Sequence, residues 1–239
     1  MVSLVGQNGT GKSTLMLLSG GRIFPDQGVV KLLGQDTRSI EGEEERNRLA
    51  SFIYQNMEFE TEDSVGSVME FVYKNGFRDS GEESVFDQVI EVFELSDSLD
   101  RPLQNLAKGE VQRTILAFSL LYGSKMIIMD EPIFALEEAQ KLRAMDFLKS
   151  YAERFAVTIY YSLHEIELSI KYSDYTVLFY KSGKVLLDET ASALTDQNIE
   201  EAYELPRSML YQKEILFREM LLERAGLPSS REKPSSGTN

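Results

Sequence analysis

Short apolar runs alternate with amphipathic stretches along most of the chain, and polar or glycine-rich breaks separate them. Residues 1–5 are apolar and end at Gly6, and after a glycine-rich stretch residues 13–18 carry the apolar positions of a buried helix, so the chain opens as strand, loop, helix. Residues 29–33 have the branched content of a strand, with turns expected at Asp26-Gln27-Gly28 before it and at Gly34-Gln35-Asp36 after it. The charged stretch 37–50 predicts a helix, and 51–54 a short strand ending at Gln55. Over 57–104 the pattern turns acidic and amphipathic, with apolar residues three and four apart across 65–73 and 84–95, which predicts an inserted helical subdomain. Helices are then expected at 110–122, 137–155 and 165–172, with buried strands at 125–129 and 157–161 between them. Strands at 175–180 and 184–187 flank Lys181-Ser182-Gly183 as a hairpin. An amphipathic helix over 209–224, closed by Gly226, and a polar tail over 228–239 complete the chain. Strands alternating with helices predict an α/β fold, a parallel sheet covered by helices.

Composition narrows the function. A length of 239 residues fits one hydrophobic core with a small insert. Acidic residues outnumber basic ones by 39 to 25, a net charge of −14, which argues against a protein that coats nucleic acid or anionic lipid. With no cysteine and one histidine, His164, a disulfide framework, a thiolate zinc site and a catalytic cysteine are excluded. No stretch approaches the roughly 18 apolar residues of a membrane span, and the start lacks a signal-peptide pattern. A cytoplasmic location is therefore expected, with any membrane role exercised through a partner.

Two motifs carry the chemistry. Gly6-Gln7-Asn8-Gly9-Thr10-Gly11-Lys12-Ser13, followed by Thr14, matches G-x-x-x-x-G-K-[ST] between a strand and a helix, where a phosphate-binding loop must sit. Its glycines let backbone N–H groups face phosphates, Lys12 reaches the terminal phosphates, and the Ser13 hydroxyl offers a ligand to Mg²⁺. The bland alternative is a chance glycine-rich turn. The apolar run Met126-Ile127-Ile128-Met129 then delivers Asp130 and Glu131 at a strand end, the edge where parallel sheets place ligands. Asp130 is suited to hold Mg²⁺ and Glu131 to polarise the attacking water, whereas a mere acidic strand end would only cap the next turn. Together the motifs predict a nucleotide triphosphatase with a P-loop NTPase (RecA-like) core.

Further motifs resemble one family, the ATP-binding subunits of ABC transporters. Leu106-Ala107-Lys108-Gly109-Glu110, followed by Val111-Gln112-Arg113, is similar to the family signature LSGGQ or LSGGE with x-Q-R after it. Gln55 stands in the place of the Q-loop glutamine, Phe134-Ala135-Leu136-Glu137 resembles the D-loop SALD, and His164 resembles the switch histidine. The resemblance spans residues 1–205. It implies an ATPase using ATP and Mg²⁺, with Glu131, His164 and Gln55 catalytic, Ser13, Gln55 and Asp130 around the metal, and residues 6–14 and 106–110 on the nucleotide. With the chain pattern it gives domains at 1–56 and 105–205 (ATPase core) and 57–104 (helical insert), while the pattern alone adds 206–227 (C-terminal helix) and 228–239 (tail). The signature would act in trans on ATP bound to a second copy, in a homodimer docked on transmembrane permease subunits at the cytoplasmic face and served indirectly by an extracytoplasmic substrate-binding protein. Residues 164–205 look most like the importer branch for iron-siderophore, haem and cobalamin uptake.

Three departures bear on activity. The family places strands and an adenine-stacking aromatic before the phosphate loop, so the N-terminal antiparallel part is incomplete here, and a Tyr or Phe before a strand is expected upstream. Ala107 and Lys108 stand where the signature has Ser and Gly, and a hydrogen bond lost from a charged phosphate costs about 1.5–3 kcal/mol. Roughly ten- to a hundredfold in rate is at stake, which predicts a working but slow ATPase. Glu137 replaces the D-loop Asp. The alternative function is a regulatory nucleotide-binding subunit that hydrolyses poorly; a nucleic-acid-directed ABC ATPase is disfavoured by the acidic charge.

Overall fold

The computed structural model describes residues 1–55, 57–78, 84–210, 216 and 220. Strand β1 (Val2–Gly6) leads through the glycine loop into helix α1 (Lys12–Ser19). Gly11, at φ 100°, sits in the left-handed region at the entry to α1, which a side chain would resist. Strands β2 (Lys31–Leu32) and β3 (Gln35–Asp36) then form a small antiparallel hairpin. Here the structure departs from the expected single strand over 29–33 and turn over 34–36. The hairpin turn is centred on Leu33 and Gly34, at φ 49° and 88°, because a two-residue hairpin loop of this hand needs both central residues left-handed.

The single helix expected over 37–50 is also broken. A 3-10 turn covers Thr37–Ser39, where Asp36 Oδ1 accepts from the Arg38 N–H at 2.9 Å; Gly42, at φ 84°, then interrupts before helix α2 (Glu43–Leu49). Glu43, Glu44 and Glu45 fill the first turn of α2 and Arg46 and Arg48 its last, each sign at the favourable end of the helix dipole. Strand β4 (Ala50–Ile53) follows, then helices α3 (Val65–Asn75) and α4 (Ser84–Val92). The base of this segment is pinned: Val65 N–H donates to Arg101 O and Leu103 N–H to Asp63 O, both at 3.0 Å.

Helix α5 (Lys108–Tyr122) starts two residues before the expected 110. Glu110 in its first turn turns its Oε2 back to the Ala107 N–H at 2.8 Å, satisfying a donor that the helix leaves orphaned and letting it begin after an alanine. Beyond α5 come β5 (Met126–Asp130), α6 (Glu138–Phe155), β6 (Thr158–Ser162), α7 (Ile166–Tyr172), β7 (Tyr175–Phe179), β8 (Val185–Glu189), α8 (Thr190–Ala193) and α9 (Asp196–Tyr203). The expected closing hairpin is present as the antiparallel pair β7 and β8. The helix expected over 209–224 lies largely outside the described residues, and the tail over 228–239 wholly so.

Six strands form one sheet in the order β4-β5-β6-β1-β7-β8, parallel except for the last. Side chains alternate between its faces. Ile127, Met129, Ile159 and Tyr161 enter a core shared with Met69 of α3, Val85 and Val89 of α4, Leu116 and Leu120 of α5 and Leu148 of α6, whereas Leu4, Ile128, Tyr160 and Phe179 face Met16 and Leu49 on the other side. The helical segment that follows β4 is thus joined to the sheet by continuous apolar packing. Val5 and Leu178 meet Ile166, Leu194, Ile199 and Ala202 in a third cluster around α9. Among the described residues no helix is long and apolar enough to cross a membrane.

Candidate nucleotide site

Parallel pairing brings the C-terminal ends of β4, β5, β6 and β1 to one edge of the sheet, the edge where such sheets bind ligands. Register fixes what meets there: Asp130 pairs with Ser162, and Leu4, two residues before the phosphate loop, pairs with Ser162 on the other side. Gln55 follows β4 by two residues, Glu131 follows β5 directly, and His164 follows β6 by two.

The phosphate loop is held from inside and from behind. Gly6, at φ 152°, lies so close to β7 that an added Cβ would stand 2.8 Å from Phe179 Cβ and from its carbonyl oxygen, so only glycine fits. Thr10 Oγ1 donates to Gln7 O at 2.8 Å, and Lys12 Nζ donates to Gly6 O at 2.8 Å and Gln7 O at 3.0 Å. The Gln7 side chain points away to α9, donating to Tyr203 O at 2.7 Å and to Ala202 O, which leaves its backbone to face the loop. Asn8, Gly9, Ser13 and Thr14 are exposed or open to the edge, Gly11 half-buried. Burial lowers the Lys12 pKa below its ordinary value, against the opposing pull of Glu131 and then Asp130. A buried cation beside two carboxylates is a poised partner for a polyanion.

The two strand-end carboxylates have separate surroundings. Ser13 Oγ donates to Asp130 Oδ2 at 2.6 Å, and Ser162 Oγ donates to Asp130 Oδ1 at 2.5 Å, so Asp130 lies across from the hydroxyl that ends the phosphate loop. Glu131 is left-handed, at φ 51°, a conformation that non-glycine residues hold only when the surroundings impose it. Its N–H is fixed on Ser162 Oγ at 3.0 Å, Gln55 Nε2 donates to its Oε2 at 2.8 Å, and His164 Nε2 lies 2.6 Å from its Oε1. The carboxylate side chain is 11% exposed and the imidazole 19%. Lys12, Ser13, Gln55, Asp130, Glu131 and His164, six residues from four separated stretches of sequence, are therefore one constellation. Ser162 was missed by sequence reasoning; its only signal was a polar residue ending the apolar run Tyr160-Tyr161.

Residues 106–110 stand apart. Ala107 and Lys108 are exposed, while Leu106, Gly109 and Glu110 are half-buried. The Glu110 carboxylate is spent within its own chain, on Ala107 N–H, Arg101 and Ser98 Oγ at 3.2 Å, rather than on the phosphate loop. A Cβ on Gly109 would meet Ala135 O at 3.4 Å, so the signature helix begins against the loop after Glu131. Gln112, in the x-Q-R stretch after the signature, is buried and donates to Pro132 O at 2.6 Å, tying that helix to the same loop.

Hard oxygen donors at Ser13 and Asp130 suit Mg²⁺, which takes few protein ligands and completes its shell with phosphate and water. Among the described residues no cluster of three or more His, Cys, Asp or Glu side chains is placed to hold a metal alone. The oxygen set therefore fits a metal that arrives with a nucleotide.

Comparison with known proteins agrees with this geometry. The family described as ABC transporter matches residues 1–134. The petrobactin import ATP-binding protein FpuC of Bacillus anthracis is 31% identical over 79% of this chain and 70% of its own. The petrobactin import ATP-binding protein FatE of the same organism is 27% identical over 82% of this chain and 79% of its own. Among solved structures, a dimeric ATP-binding cassette in a post-hydrolysis state with ADP and phosphate superposes with a TM-score of 0.66 at 22% identity, over 80% of this chain and 85% of that one, a likeness of fold. With the family match extending over more than half of its length, through the phosphate loop, the signature and the strand-end carboxylates, the chain belongs to the ABC transporter family, as an ATP-binding subunit that hydrolyses ATP.

Proposed function

We propose that this subunit couples ATP hydrolysis to the import of a metal chelate, working as a homodimer beneath permease subunits. The observation that carries the reading is the convergence of Lys12, Ser13, Asp130, Glu131, Gln55 and His164 on one sheet edge. Residues 6–14 hold the phosphates through backbone N–H groups and Lys12. Ser13 and Asp130, with Gln55 Oε1, would hold Mg²⁺, which neutralises phosphate charge. Glu131 orients and polarises the attacking water, and His164 contacts the γ-phosphate. Leu106, Ala107, Lys108, Gly109 and Glu110 act in trans, at the ATP of a second copy; the cassette matched in fold is itself dimeric.

The domain reading assigns 1–56 and 105–205 to the ATPase core, 57–104 to the helical part that carries closure to a permease, 206–227 to a C-terminal helix and 228–239 to a tail. That petrobactin is the named cargo of two relatives supports a metal chelate as the cargo class. Nothing in the chain is assigned to bind cargo; that belongs to the permease and an extracytoplasmic binding protein. The test is uptake of a labelled ferric chelate by cells whose only copy of this subunit is supplied from a plasmid. Uptake restored by the wild type and abolished by Lys12→Ala is expected; uptake independent of the subunit while another cargo is lost would refute the cargo class.

A further inference from the structure

Two arms of chain leave neighbouring strand ends and meet again at the site. One starts at Glu131 after β5 and runs through 132–137 into α6; the other carries His164 and Glu165 after β6 and opens α7. At the edge they are joined by the 2.6 Å contact between His164 Nε2 and Glu131 Oε1. They are joined a second time behind the site. Lys141, in the first turns of α6, places its ammonium on the Glu165 carboxylate, with Glu138 at 3.8 Å. Its own N–H bonds Glu137 O at 2.8 Å, so the lysine is fixed to the residue that ends the D-loop-like stretch.

Burial sets this pair apart. The Lys141 side chain is 1% exposed, whereas the other lysines in ion pairs among the described residues, Lys74, Lys181 and Lys184, are 69%, 60% and 55% exposed. A buried lysine is a costly way to pack two helices, since an apolar side chain of the same length does so without desolvating a charge. What a charged pair adds is a fixed partner and a fixed register. The partner here is Glu165, the residue next to His164.

We propose that Lys141 is a positioning residue: its ion pair with Glu165 sets the His164 arm against the Glu131 arm, so that imidazole and carboxylate keep the spacing hydrolysis needs. This rests on the roles given to Glu131 and His164 above. Lys141 touches neither nucleotide nor water and acts through Glu165. Displacing a catalytic group by as little as an ångström from behind can cost up to about a hundredfold, and an exposed edge that relaxes partly is expected to lose less.

The experiment compares the full chain with Lys141→Met, Lys141→Arg and Glu131→Gln, measuring ATP hydrolysis across ATP concentrations together with thermal unfolding. Lys141→Met should lower kcat about tenfold while KM for ATP stays within about twofold, and Lys141→Arg, which keeps the cation, should restore most of the rate. A wild-type kcat in Lys141→Met would overturn the proposal. So would a parallel loss in rate, KM and unfolding temperature that Lys141→Arg fails to restore, since that marks helix packing alone. Glu131→Gln separates the two levels: if it hydrolyses at the wild-type rate, the underlying assignment falls and the proposal with it; if it is inactive while Lys141→Met is normal, only the positioning role falls.

Discussion

At the scale of single residues, Ser162 shows how much of this site is held by neighbours of the catalytic groups. Its hydroxyl donates to the Asp130 carboxylate and accepts the backbone N–H of Glu131, so one oxygen ties the first carboxylate to the main chain that carries the second. Ser162→Ala is predicted to lower the rate of hydrolysis about tenfold with little change in unfolding temperature, because it removes a hydrogen bond to a charged group worth about 1.5–3 kcal/mol at the site itself. A wild-type rate in that variant would show that β6 places the carboxylates without it. Gly6 acts through space rather than bonding: Gly6→Ala would drive a methyl to 2.8 Å from Phe179 backbone and side chain, and a loss of about 1–3 kcal/mol in urea unfolding is predicted, together with weakened ATP binding.

Elements decide where those residues can stand. Helix α3 reaches α5 through Gly76, where a Cβ would lie 2.5 Å from Tyr122 O and 2.9 Å from Val72 O. Since both are backbone atoms that cannot swing aside, Gly76→Ala is predicted to lower thermal stability by about 1–3 kcal/mol, as an overpacked core does, while leaving KM for ATP unchanged. Unaltered stability would mean that the segment after α3 shifts freely against α5. The strands and helices of the sheet were legible in the sequence because apolar runs and glycine breaks coincide with their ends, as at Gly6 and Asp130. The hairpin at Leu33 and the break at Gly42 were not. In the first a bulky residue adopts a left-handed turn that its identity argues against, and in the second a run of charged residues masked a glycine that ends one turn and starts another. The site was legible as motifs, yet Ser162 and Lys141 were not, since their significance lies in contacts 32 and 24 residues away along the chain.

Taken as a whole, the acidic molecule spends part of its negative charge in ion pairs that tie helices together. Glu94, itself at φ 52°, gathers Gln140, Arg143 and Arg113 within 2.8 Å, and Gln140 first among them draws its pKa below the ordinary carboxylate value. Burial raises the pKa of Glu110, but the Ala107 N–H and then Arg101 outweigh it and bring the net value down. A carboxyl depressed in the fold stabilises fully above its unfolded pKa near 4.5, and that contribution fades as pH falls through the lower folded value. Unfolding temperature is therefore predicted to be flat from pH 7 to about 5 and to drop below about 4.5, with a shallower drop in Glu110→Gln. An unchanged acid limb in that variant would remove Glu110 from the balance.

The converged strand ends form an ATPase site in which Glu131 acts on water. Steady-state ATP hydrolysis by Glu131→Gln, measured beside ATP binding by the same protein, tests that role most directly. The predicted result is a loss of at least about a hundredfold in rate with ATP binding retained, because the amide keeps the shape of the side chain, and one oxygen to accept from Gln55, but cannot take up a proton. Hydrolysis by that variant at the wild-type rate would mean that Glu131 does not act on the attacking water.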